Sequence, residues 1–210
     1  MVNVAGLREE LGGGHCLAGR SSTDGIVLDL AELDSITVAD HGLATIGAGA
    51  RLAQVYAPLH VHGRTLPAGC GATVGIAGLT LGGRIGLLRR KHGLICDRLV
   101  GARVVLADGR IVDCDADREP ELFWALRGAG GSQFGVVTSL IFDTVPEPMT
   151  TRFKLRQVAH VDGSGGVYPN FPDPQLDDWA TAYHAGNYPR LAAAKKAYDP
   201  DRLFEFPQSI

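Results

Sequence analysis

The sequence predicts an α+β fold: a mixed sheet with helices packed against it and a helical C-terminal arm. Three observations predict it. Apolar residues alternate in short runs between Gly25 and Gly49, they recur at helical spacing from Arg51 to His62, and two further apolar runs flank Asp108-Gly109. The runs Ile26–Leu30, Ile36–Val38 and Leu43–Ile46 are three successive strands, with His41-Gly42 as the turn between the last two. Leu52, Val55, Tyr56 and Leu59 then define one helix face, and Gly63 stands where a helix is expected to end.

Pro67 to Gly86 is the most unusual stretch, with glycine at 69, 71, 75, 78, 82, 83 and 86. So many glycines weaken a helix or strand interior, which predicts a loop whose backbone approaches something closely. Its bare amides suit phosphate oxygens or the polar edge of a flat cofactor ring. A set of tight turns in an irregular domain is the equally weighted alternative.

Beyond it, Leu99–Ala107 and Arg110–Cys114 flank Asp108-Gly109, which predicts a two-residue type I′ hairpin. Glu119–Arg127 reads as a short helix with Pro120 in its first turn and acidic residues at the positive end of its dipole. Gly128–Gln133 breaks it, and Phe134–Phe142 follows as a buried strand. Val161–Val167 has the composition of a flexible connector, and prolines at 169, 172 and 174 exclude regular helix there. From Asp177 through Ala194 the period is again helical, with a break near Gly186.

Composition excludes several function classes. The chain has 210 residues, 45% of them hydrophobic and 20% charged, with a formal net charge of -3 and no basic arm, so nothing favours nucleic acid or an anionic membrane as partner. Charges in the first ten residues do not suit a secretory leader, and no apolar run is long enough for a bilayer; a cytoplasmic location is expected. Cys16, Cys70, Cys96 and Cys114 form no CxxC pair, which argues against a zinc or thioredoxin-type site. No Gly-Lys-Ser/Thr follows the glycines, which disfavours a nucleotide P-loop.

Five segments in order carry a family resemblance: Gly13-Gly-His15, the Pro67–Gly86 run, Lys91-His-Gly-Leu94, Leu122–Gly128 and Phe134–Ser139. Together they resemble the PCMH-type FAD-binding domain of berberine-bridge-enzyme-like oxidoreductases, in the vanillyl-alcohol-oxidase superfamily. The tail from Tyr168 to Ile210 resembles the C-terminal segment of that family. The resemblance implies an FAD-binding domain over 1–150, a linker over 151–167 in place of the family's substrate domain, and a C-terminal segment over 168–210 that returns to the FAD domain.

It also implies roles. His15 is expected to bond the 8α-methyl of the flavin, Gly13 and Gly14 to lie on the pyrophosphate, and Thr73, Gly75, Ile76, Gly78, Leu79, Thr80, Gly82, Gly83 and Ile85 to line the isoalloxazine and ribityl portion. Val136 and Val137 are expected to add backbone contacts. Many relatives attach the flavin a second time through a cysteine, but here Gly71 occupies that place and Cys70 precedes it, so attachment through His15 alone is expected. Tyr168 is the expected base toward a substrate hydroxyl, with Asn170 holding ring or substrate; the pair pinning an extended arm is the alternative. Arg84 replaces a glycine of the family pattern, where it either clashes with the flavin or contacts its N1/C2 carbonyl edge. The implied function is an oxidase that moves a hydride from an alcohol or amine carbon of a small molecule to flavin N5, with dioxygen as acceptor; the alternative is a non-catalytic flavin-binding or cofactor-free remnant. No feature sets an oligomeric state or selects among sugar, amine and polyketide alcohol substrates.

Overall fold

A computed structural model describes residues 13–16, 26–131, 133–149 and 173–210, together with the backbone of 7–11. The central sheet has five strands in the order β3 (Ile36–Val38), β4 (Leu43–Gly47), β8 (Val136–Asp143), β6 (Leu99–Val105) and β7 (Ile111–Cys114), and every neighbouring pair is antiparallel. A separate pair, β1 (Leu7–Leu11) and β2 (Ile26–Asp29), is parallel. The expected mix of pairings therefore lies between sheets and not within one. A third small sheet joins β5 (Arg64–Thr65) to β9 (Val145–Pro146).

β8 is central and none of its eight residues is exposed: Val136, Val137, Leu140 and Phe142 are buried and the other four half-buried. The two strands beside it are split, β4 covering Ser139–Asp143 and β6 running from Phe142 back to Val136. Opposite β6, the edge of β8 at Val136 and Val137 is thus beyond the reach of β4.

Helix α1 (Leu52–Val61) packs Leu52, Val55 and Leu59 into the core with no exposure, each burial being worth about 1.5–3 kcal/mol. Its start is stabilised by Gln54, whose Oε1 accepts the Arg51 N–H at 2.8 Å. Helix α4 (Pro120–Ala129) begins with Pro120 at its first position and buries Leu122, Phe123, Ala125 and Leu126. Its last turn leaves helical geometry at Arg127 and Gly128.

Two expectations require correction. The Asp108-Gly109 hairpin is in the expected place, but of its turn residues Gly109 alone has a positive φ, 82°. Leu106 O accepts the Gly109 N–H and Leu106 N–H reaches Arg110 O, both at 2.9 Å, which is a three-residue loop ending in a left-handed glycine and not a type I′ turn. Asp108 favours this form because its Oδ1 accepts the Arg110 N–H. The second correction concerns the glycine run, which contains helix α2 (Ile76–Leu81) between Gly75 and Gly82. Glycine outlines that helix, while Ile76, Ala77, Leu79, Thr80 and Leu81 are all buried and Gly78 alone is exposed.

The arm consists of α5 (Trp179–His184), a 3₁₀ turn (Ala185–Asn187) and α6 (Tyr188–Tyr198), with α3 (Arg89–His92) a single basic turn elsewhere. It docks on α4 through Arg190, whose guanidinium pairs with both Glu121 oxygens at 2.8 and 2.7 Å and lies 3.9 Å from the Trp124 ring centroid. Lower down, buried Lys195 donates to Asp199 Oδ2 (2.5 Å), Gln133 O (2.6 Å) and Phe204 O (2.7 Å), and Gln133 Oε1 accepts the Ile210 N–H (2.7 Å). Among the described residues no helix is long and apolar enough to cross a membrane.

Candidate functional site

The turn that ends at Gly75 is stapled to the start of α1. Leu52 N–H donates to Val74 O, Ala53 N–H to Ala72 O and Ile76 N–H to Ala50 O, at 2.9–3.0 Å. Onto this fixed loop comes a segment nearly sixty residues away in sequence. His15 Nε2 lies 3.0 Å from Thr73 Oγ1, and a Cβ built on Gly13 would fall 2.4 Å from Gly75 N and 2.9 Å from Gly75 Cα. No side chain fits at position 13, so two bare backbones meet there. Gly14 continues with φ 68°, and His15 is exposed with Nδ1 directed to no residue among those described.

Most of the expected cofactor residues separate into three groups. Gly13, His15, Thr73 and Gly75 are brought together as one wall. Ile76, Leu79, Thr80 and Val137 have core side chains, and Thr80 Oγ1 donates to Ile76 O at 2.8 Å, so these residues shape the backbone and their side chains present nothing to a ligand. Gly82, Gly83 and Ile85 line a cavity of about 530 Å³ beyond the C-terminal end of α2, within the range of small-molecule sites. Gly78 is exposed with open space where a side chain would stand, and Val136 is buried at the β8 edge. Tyr168 and Asn170 lie outside the described residues, as does the 151–167 linker.

Sequence reasoning did not foresee the other side of that cavity. Cys96, Asp97, Trp124, Arg127 and Gly128 contribute from the core domain, and Tyr183, His184 and Asn187 from the arm. Arg127 and Asp97 approach to 3.6 Å across it, and burial holds the His184 imidazole below its ordinary pKa, favouring the neutral ring. The Cys96 thiol is pushed up to about 11, first by burial and then by Asp97, which keeps it protonated and unreactive. Gly83 (φ 86°) and Gly128 (φ 129°) form the floor, a Cβ on Gly83 falling 3.7 Å from Gly128 Cα. The signal for this side was present in Arg127-Gly128, where a helix stops without a proline.

At the start of the glycine run, Tyr56 Oη donates to Gly69 O at 2.5 Å, and burial pushes its phenol up to about 12. The Arg84 guanidinium lies over Gly69, and a Cβ there would meet its Nη2 at 2.6 Å. Cys70 is exposed, whereas a side chain at Gly71 would press on Val74 Cγ2 at 2.8 Å.

A backbone wall of glycines carrying a histidine, and a glycine-floored cavity beyond the far end of α2, are features that suit an FAD-binding domain. Residues 10–115 match the FAD binding domain family, and residues 167–210 match the berberine and berberine like family. The chain belongs to the first family and is berberine-bridge-enzyme-like. It is 47% identical over 137 residues to the uncharacterized FAD-linked oxidoreductase YgaK of Bacillus subtilis, which covers 63% of this chain and 30% of that protein. The structure of 6-hydroxy-D-nicotine oxidase from Arthrobacter nicotinovorans superimposes with a TM-score of 0.65 at 35% identity, over 69% of this chain and 32% of the other. A glucooligosaccharide oxidase from Acremonium strictum with a 6-S-cysteinyl, 8α-N1-histidyl FAD gives a TM-score of 0.62 at 37% identity, over 67% and 30%. The chain spans about a third of the length of these relatives.

Proposed function

We propose that this protein binds FAD, covalently through His15, and serves as an FAD-dependent oxidoreductase toward a small-molecule alcohol or amine. The observation that carries the reading is the seat of His15. Thr73 engages Nε2 and, among the described residues, leaves Nδ1 as the nitrogen for a covalent bond, while the Gly13–Gly75 approach supplies a backbone wall that no Cβ interrupts. The residues present fit the group. Helix α2 is about 9 Å long, so the His15 wall and the cavity at Gly82–Gly83 are within the span of one extended dinucleotide.

When bound, the flavin supplies a two-electron acceptor that takes a hydride from a substrate C–H and passes the electrons to dioxygen. The chain's part is to hold and orient. His15 and Thr73 would fix one edge of the ring, Gly75 would line its isoalloxazine and ribityl portion, and Gly13 and Gly14 would offer amides to the pyrophosphate. Tyr168 is proposed as the base for the substrate hydroxyl, which requires a nearby cation to bring its pKa down from about 10, and Asn170 as its orienting partner. Single attachment is supported by Gly71, where the loop leaves no space for a side chain without displacing Val74.

A second reading, flavin binding without turnover, is favoured by one observation: residues 116–166 alone lie between the two family matches, a short stretch for a substrate-binding domain. Absorbance of the purified protein before and after acid precipitation tests the proposal. A flavin band that stays with the precipitate and is lost in His15→Ala supports covalent attachment, after which hydrogen peroxide production on sugar, amine and alcohol panels separates the two readings. A protein that remains colourless after incubation with excess FAD refutes both.

A further inference from the structure

The cavity beyond α2 has three aromatic side chains in its lining, Trp124 from α4 and Tyr183 and His184 from the arm, with apolar neighbours at Leu94, Ala125 and Leu191. Its polar groups are mostly engaged. The Tyr183 hydroxyl accepts the Asp173 N–H at 2.6 Å, and the Cys96 thiol points to Gly83 O at 3.7 Å. Arg127 faces Asp97 at 3.6 Å while its Nε donates to Cys96 O, and among the described residues these two are the charged members of the lining, offsetting one another. His184 is different. Its ring stacks on Tyr188 with centroids 6.3 Å apart and meets Trp179 and Tyr183 edge-on, which fixes it, yet neither ring nitrogen has a hydrogen-bond partner among the described residues. The neutral form that burial favours carries one N–H and one bare acceptor nitrogen. The next residue, Ala185, has φ 46° and ψ -132°, a conformation that residues with a Cβ rarely adopt. That strained bend turns the chain between His184 and Asn187, both of which line the cavity, and strain of this kind is retained where it places functional side chains.

We infer that this cavity takes a neutral, flat aromatic molecule bearing a hydroxyl group, whose O–H donates to a ring nitrogen of His184 while its ring packs against Trp124. The inference names the substrate class of the oxidoreductase proposed above, an aromatic alcohol, and rests on that reading for turnover; binding itself is measurable without flavin. Neutrality follows from the Asp97–Arg127 pair, since a ligand ammonium or carboxylate would lose its water and find no free counter-charge. A sugar, with several hydroxyls to satisfy, meets two lining side chains whose polar groups are uncommitted, His184 and Asn187. Arg190 already lies 3.9 Å from the Trp124 centroid, and a cation held against an indole makes it electron-poor, so its remaining surface prefers an electron-rich aromatic partner. Gly82 and Gly83 border the cavity on the side expected to meet the cofactor, so a ligand held by the arm lies beside the flavin and does not replace it.

Calorimetry tests it by measuring naphthalenemethanol binding to wild type, His184→Phe and Asn187→Trp, each as purified and after incubation with FAD. The methyl ether of the same alcohol is the comparison ligand, which keeps the ring and lacks the O–H. Wild type should bind the alcohol about tenfold more tightly than the ether, the worth of one hydrogen bond in a desolvated site. His184→Phe retains an aromatic ring against Tyr188 and should bind both ligands equally, at the ether's affinity. Asn187→Trp, at an exposed position of the lining, fills the cavity from the arm and should bind neither. Alcohol and ether are compared within one protein, so a folding defect in a variant does not produce this pattern. Equal affinity of wild type for the two ligands, a preference that survives His184→Phe, or undiminished binding by Asn187→Trp overturns the inference. Loss of binding once FAD is loaded also overturns it, because the cavity then belongs to the cofactor. A wild type that shows the expected pattern but takes up no FAD leaves the binding site standing and refutes the oxidoreductase reading.

Discussion

The attachment of the C-terminal arm depends on a buried ion pair that can be dismantled one partner at a time. Lys195 is 3% exposed and Asp199 1% exposed, and the Lys195 ammonium uses its three protons on Asp199, Gln133 O and Phe204 O. Burial lowers the Lys195 pKa, and that effect outweighs the opposing pull of Asp199, so the pair is not a net source of stability relative to an apolar filling. Its importance lies in interdependence. Lys195→Met leaves the Asp199 carboxylate enclosed with only the Leu203 and Phe204 amides, at 2.7 and 3.0 Å, and leaves two carbonyls without their donor. The expected loss is about 3–5 kcal/mol, the usual consequence of stranding one buried charge. Urea denaturation followed by far-ultraviolet dichroism measures it, and the melting temperature should fall by about 6–20 °C. Adding Asp199→Asn removes the stranded charge, so the double variant should be more stable than Lys195→Met alone. A single-variant loss under about 1 kcal/mol, or a double variant equal to the sum of two singles, refutes this account of the arm.

Other expectations follow from the same geometry. Gly13→Ala drives a methyl into Gly75 N, so FAD retention in that variant should be lost while the core, which does not include the segment, keeps its melting temperature to within a few degrees. In the folded protein a thiol reagent at pH 8 should label exposed Cys70 rapidly and spare Cys96 and Cys114, whose pKa values burial pushes up to about 11 and about 12; mass mapping of the labelled peptides decides it. Tyr198 and Tyr56 are both raised from 10.0 to about 12, Tyr198 by burial and its bond to Glu119 and Tyr56 by burial. Their folded-state pKa values exceed the unfolded ones, so the stability they contribute is complete below about pH 10 and disappears as pH rises through about 12. Denaturant midpoints should fall across that window as phenolate absorbance rises, and two phenols ionising near 10 in the folded protein would contradict it.

Helix α1 was legible because its apolar period is undisturbed: of the four residues that set it, Leu52, Val55 and Leu59 are buried and Tyr56 is half-buried. Strand β8 was legible as a buried run, but its central place was not, since pairing partners over ninety residues away leave no local trace. The turn at Asp108-Gly109 was misjudged because the Asp108 side chain bonds the chain ahead and makes one positive φ sufficient. Helix α2 was hidden by averaging: glycine content was read over the whole run, whereas Gly75 and Gly82 lie at the helix ends and Gly78 on its exposed side. At the site, glycine density located the wall correctly, yet which residues face a ligand depended on the helical rotation of 76–81. The meeting of His15 with Thr73 came through family resemblance, as no period or spacing joins them. The arm's share of the cavity had no such guide, because Tyr183, His184 and Asn187 sit in an ordinary helical pattern.

The cavity floor has a consequence for how this family member can change. Space is available around Gly128, with no atom within 4 Å of an added methyl, and a methyl on Gly83 would make ordinary contact, yet a substitution at either is strained because both backbones occupy torsions that L-residues rarely adopt. Filling the recess from beneath therefore carries a cost in backbone strain. Lining side chains such as Ile85, Trp124 and His184 stand on backbones without a positive φ and can vary the shape of what enters at no such cost.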